Sequence, residues 1–110
     1  MQHIILVSKY IVPKGYTGIA LFPFVFVKHA YLKLNKVFVN HERIHLRQQM
    51  ELLILPFFIW YGLEFLVRYV RYKNWHQAYR NISFEREAYQ NEHHLEYLKK
   101  RSFWNFLKYL

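Results

Sequence analysis

The chain has 110 residues, enough for one small domain with a modest core. It has no cysteine, which excludes disulfides and thiolate metal ligands, so any metal site must use His and carboxylate groups. A formal charge of +9 with 21% aromatic residues points to an anionic, partly apolar partner. An anionic membrane surface fits that description. Nucleic acid fits it less well, because the basic residues between Lys9 and Arg101 are scattered and no recognised nucleic-acid signature is present.

The N-terminal stretch Met1 to Val7 is apolar but lacks a basic start, and Lys9 interrupts it. No cleavable signal peptide is expected, and the expected location is cytoplasmic or peripheral on the cytoplasmic membrane. Pro13, Gly15 and Gly18 then mark a turn region. Ile19 to Phe22 and Phe24 to Val27 are β-branched and aromatic, and Pro23 between them suits a strand with an edge position or a bulge. Lys36 to Val39 reads as a further short strand, followed by a helix from His41 with Asn40 as its N-cap. Pro56 is expected to kink or end that helix, with a second running from Phe57 to about Tyr72.

The run from Leu52 to Val67 is too short, and carries Glu64, for a typical membrane span of about 20 apolar residues. A core helix or an interfacial helix suits it better. Trp75 to Arg80 reads as a short helix or turn. Ser83 is expected to cap a helix from Phe84 to about Lys100. Ser102 is expected to cap a last amphipathic piece presenting Phe103, Trp104, Phe106, Leu107 and Leu110. Strands followed by helices make the fold class α+β. The expected organisation is one domain over 1–110, with strands and loops to 39, a helical metal-site core over 40–100 and a C-terminal amphipathic helix over 101–110.

His41-Glu42-Arg43-Ile44-His45 matches the HExxH pattern. On a helix, residues i and i+4 share a face, so both imidazoles can reach one metal. Glu42 is turned by about 100° and can lie beside an open coordination position as a general base. Composition alone predicts only about 0.03 chance matches in such a chain, so the pattern is informative. Gln48 returns to the ligand face, where it can orient an imidazole or sit beneath the site. A catalytic zinc needs a third protein ligand, which here must be Glu or His. Phe84 and Ala88 define an apolar stripe that Glu85 and Glu87 flank on opposite sides, and periodicity leaves the two nearly equal. The adjacent pair His93-His94 diverges on a helix and reads as a surface pair. His3, His29 and His76 are isolated.

Taken together, His41-Glu42-x-x-His45 and the later Glu85-x-x-Ala88 resemble the gluzincin clan of zinc metallopeptidases, over roughly residues 36 to 100. The resemblance implies a zincin-like core in which the HExxH helix packs against a later Glu-bearing helix. It implies Zn2+ held by His41, His45 and Glu85, with Glu42 as general base for a zinc-activated water. Ala88 would let the two helices approach. The substrate would be a peptide or protein, and the strand Val37 to Val39 would offer it an edge. Two departures stand out: Tyr89 occupies the position where such proteins often place an Asp beside a ligand His, and there is no dedicated substrate-binding domain. The alternative function is a non-catalytic zinc-binding or membrane-surface structural protein.

Overall fold

The computed structural model describes residues 4–110 and has the α+β class expected. His3 lies outside the described residues. Strands β1 (Ile4–Val7), β2 (Gly18–Leu21) and β3 (Phe24–Val27) form a sheet in the order β1-β3-β2. The segments on either side of Pro23 are separate strands, paired antiparallel with Ile19 opposite Phe26. β1 adds to the other side of β3 in parallel. Alternation puts Val25 and Val27 inward, where they bury against Ala20, Leu32 and Leu46, with Phe38 packed alongside. The approach is close at Gly18, where any β carbon would collide with the Phe38 ring.

Five helices follow: α1 (Lys36–Leu52), α2 (Ile54–Tyr72), α3 (Trp75–Arg80), α4 (Ser83–Asn91) and α5 (Tyr97–Lys100). A second core cluster joins Leu52, Phe57, Ile82, Phe84 and Phe106. The Phe84 ring sits 4.5 Å from Phe57 and 4.6 Å from Phe106, centre to centre. Thus α1 reaches the sheet cluster through Leu46 and the aromatic cluster through Leu52. The HExxH segment lies between Phe38 and Leu46, both of which pack in the sheet cluster.

Several boundaries differ from the sequence expectations. Lys36 to Val39 is the first turn of α1, not a strand. The N-cap is Asn35, whose side-chain oxygen accepts from the Phe38 N–H at 3.0 Å. Val37 and Val39 cost a helix only a few tenths of a kcal/mol each, less than a good cap returns. Asn40 is buried one turn further on, and its amide donates to the carbonyls of Asn91, Glu92 and His94. It therefore caps the C-terminal end of α4 rather than the start of α1. This clamp lies where α4 stops, at Asn91 rather than near Lys100.

The break after α1 falls at Leu53, not Pro56. Leu53 adopts φ 64°, and α2 leaves at 111° to α1. Pro56 fits inside the first turn of α2, where its missing N–H would have no helical partner. Asn74 caps the short α3 through the Gln77 N–H. Ser83 is the first residue of α4 rather than its cap, and its N–H and hydroxyl are both bound by Glu64. The C-terminal piece is a 3-10 turn over Asn105–Tyr109, with Phe106 buried and Phe103, Leu107 and Leu110 exposed.

Candidate metal centre

His41 and His45 project from one face of α1 toward α4, as i and i+4 positions must. Glu85, in the first turn of α4, meets them. His45 Nε2 lies 3.2 Å from His41 Nε2 and 3.1 Å from Glu85 Oε1. His41 Nε2 lies 3.3 Å from the same oxygen. All three residues are buried, and this group could hold a metal ion.

Glu85 and Glu87, which periodicity could not separate, have different roles. Glu87 points to the opposite side of α4, where the Arg101 guanidinium binds it through Nε at 2.5 Å and Nη2 at 3.1 Å. Tyr97 donates to it as well, at 2.5 Å. Arg101 also bonds Glu51 near the C-terminal end of α1. These bonds tie the C-terminal segment to α1 and α4. His93 and His94 are exposed, as are His29 and His76, and none joins the cluster.

Two of the three side chains, His45 and Glu85, are themselves held by hydrogen bonds. Gln48 Oε1 lies 2.8 Å from His45 Nδ1, and its Nε2 donates to Glu87 Oε1 at 2.8 Å and to the Phe84 carbonyl at 3.1 Å. Gln48 therefore orients His45 and fastens α1 to α4 at once. Tyr61, on α2, donates to Glu85 Oε2 at 2.7 Å, leaving Oε1 for the cluster. Tyr89 does not hydrogen-bond a ligand. Its ring packs edge-on against His41 at 4.4 Å, its hydroxyl pairs with Tyr79 at 2.9 Å, and Arg80 covers its other side. The carboxylate nearest His41 Nδ1 is that of Glu92, whose Oε2 lies 3.2 Å away without hydrogen-bond geometry.

Glu92 stands two turns beyond Glu85, a spacing that returns to the same helix face and was a readable signal. Tyr61 had no comparable signal. Only the bend at Leu53 swings α2 over the site.

The electrostatics are those of buried, mutually dependent charges. Burial acts to pull the His45 imidazole down, but the Glu85 carboxylate, with Glu42 and Gln48, outweighs it and pushes His45 up to about 9. Burial acts to raise Glu85, and the charge and hydrogen bonds of His45 and His41 outweigh it, holding that carboxyl well below the usual range. Glu42 is raised, because burial outweighs the attraction of the two imidazoles. Burial and the Glu85 charge push the Tyr61 hydroxyl up, so it remains a neutral donor.

His41, Glu42, His45 and Glu85 border a cleft of about 380 Å³. The opposite wall is apolar, with Phe57, Phe58, Tyr61 and Phe65 from α2 and Trp75 from α3. β2 forms another border through Gly18, Ile19 and Ala20. Its outer edge is partly closed by Gln49, which accepts from the Phe22 N–H and donates to the Ala20 carbonyl, both at 2.7 Å. Comparison with protein-family models, curated proteins and solved structures finds no match for this chain.

Proposed function

We propose that the protein is a zinc-dependent peptidase of gluzincin type with a small zincin-like core. The convergence of His41 Nε2, His45 Nε2 and Glu85 Oε1 beside an apolar cleft carries the reading. A tetrahedral zinc with bonds of about 2.05 Å needs ligand atoms about 3.3 Å apart. The observed separations of 3.1, 3.2 and 3.3 Å match that requirement. Two imidazoles and one carboxylate, with the site bordering a cleft, are also the donor set of catalytic rather than structural zinc.

When bound, zinc supplies the Lewis acidity that makes a water nucleophilic near neutral pH. The chain's own residues do the rest. Glu42 is buried at the cleft wall and accepts the proton from the attacking water, then passes it to the leaving amine. Gln48 fixes the His45 imidazole, Glu92 places a carboxylate beside His41, and Tyr61 keeps Glu85 turned to bind through one oxygen.

The strand offered to an extended substrate is β2, since Val37 to Val39 is helical. Gln49 already takes Ala20 and Phe22, which leaves the outward peptide groups of Gly18 to meet a substrate backbone. Among the described residues no single helix is long and apolar enough to cross a membrane. Of the two sequence-based expectations for location, the peripheral membrane one is supported by the exposed apolar side of α2.

The test is zinc-loaded wild type against Glu42→Gln on unfolded casein and a mixed peptide library. The expected result is equal zinc content and a loss of hydrolysis of about 10²–10⁴-fold in the variant. If both proteins hold zinc and are equally inert on every substrate, the metal is a structural tie between α1 and α4.

A further inference from the structure

We infer that the outer side of α2 is a docking surface for an anionic lipid membrane. The inference stands on surface chemistry and is independent of the metal. α2 is apolar almost all round, which in a water-soluble helix means burial on every side. Here burial reaches only part of it. Phe57 and Trp60 face the aromatic cluster, and Phe58, Tyr61 and Phe65 face the metal cleft. The remaining stripe of Leu55, Ile59, Leu63, Leu66, Val67 and Val70 is exposed along the helix. From Leu55 to Val70 the strip runs roughly 22 Å at about 1.5 Å per residue. Leu110 borders the same surface groove as Ile59, Leu63 and Val67. Contiguous apolar surface of this kind marks an interaction site.

Charge selects the occupant. The acids are almost all turned inward: Glu42, Glu85 and Glu87 are buried, Glu92 faces His41, Glu51 is taken by Arg101, and Glu64 by Ser83 and Trp60. Glu96 alone stands exposed, and Lys99 pairs with it at 2.7 Å. The outward charge is therefore nearly all positive, and Arg71 and Lys73 lie exposed at the end of the strip. A second copy laid on this face would bring like charge toward like charge. A bilayer with anionic headgroups satisfies both the strip and its charge. It would also lie alongside the helix that walls the cleft.

Sedimentation with vesicles tests this. Wild type is mixed at about 0.1 M salt with phosphatidylcholine vesicles, with or without about 30 mol% phosphatidylglycerol. Binding to the anionic vesicles is expected to be at least about tenfold stronger. Leu63→Gln/Val67→Gln, which adds no charge, is expected to lose that binding by about tenfold or more. Leu34→Gln, at a still more exposed leucine on the 3-10 turn Ala30–Leu34 away from α2, is expected to bind like wild type. Circular dichroism confirms that each variant is folded. The proposal is overturned if wild type stays unbound to anionic vesicles or if the double variant binds like wild type. It is also overturned if wild type is a dimer in solution that the double variant dissolves, because a second copy then covers the strip.

Discussion

Replacing Glu87 and Glu85 separately by Gln separates architecture from chemistry on one helix. Glu87 and Arg101 have fully buried side chains, with the guanidinium bound at 2.5 and 3.1 Å. Removing one member of a buried pair costs about 3–5 kcal/mol when the other is left uncompensated, and the surviving bond from Arg101 to Glu51 holds Glu87→Gln to the lower part of that range. Arginine cannot escape that cost by losing its proton. For a domain of this size, Glu87→Gln should lower the melting temperature by roughly 10–20 °C. The metal should still bind, because no atom of the cluster is removed.

Glu85→Gln works the other way. The His45 imidazole can shed its proton once the carboxylate charge is gone, so the imbalance relaxes and the metal-free fold suffers less. Metal affinity should fall by about 10²-fold or more, with one of three ligands lost. Thermal melts with and without added zinc, together with metal stoichiometry after dialysis, measure both effects. The reasoning is refuted if Glu87→Gln loses metal while keeping its melt. Metal retained by Glu85→Gln alongside a large drop in melting temperature would refute it equally.

Three further outcomes follow from the site. His45, at about 9 in the metal-free protein, must give up a proton to bind metal. Zinc uptake near pH 7 should release that proton, and affinity should rise with pH and level off above about 9. The metal-free fold should show the opposite trend. A histidine raised from 6.5 to about 9 contributes stability that is complete below about 6.5 and lost as pH rises through about 9. Calorimetry in buffers of different ionisation enthalpy and melts across that range check both; proton release that is absent near pH 7 would contradict the first. Tyr61→Phe removes the hydrogen bond to Glu85 Oε2 at 2.7 Å, so metal affinity should fall by about 10–100-fold without loss of fold. Unchanged affinity in a competitive chelator titration would remove Tyr61 from the account.

The sequence carried the parts of the site that are local. His41, Glu42 and His45 depend only on helical spacing, and all three lie where that spacing puts them, buried at the cleft. Glu85 and Glu87 could not be told apart locally, because the distinction lies in Arg101 and Glu51, distant in sequence and brought together by the C-terminal segment. The strand expected over Lys36 to Val39 rested on β-branched composition, and the cap at Asn35, just before it, outweighed it. Asn40 had the chemistry of a cap but served a different helix. The cleft was not legible at all, since it depends on the 111° turn at Leu53, a leucine with positive φ that no sequence rule flags.

Anomalous diffraction from crystals grown with equimolar zinc, recorded on both sides of the zinc absorption edge, tests the central claim most directly. One zinc per chain should appear within about 2.0–2.2 Å of His41 Nε2, His45 Nε2 and Glu85 Oε1, with its fourth position toward the cleft beside Glu42. A zinc held elsewhere, or none at these three atoms, would contradict the account.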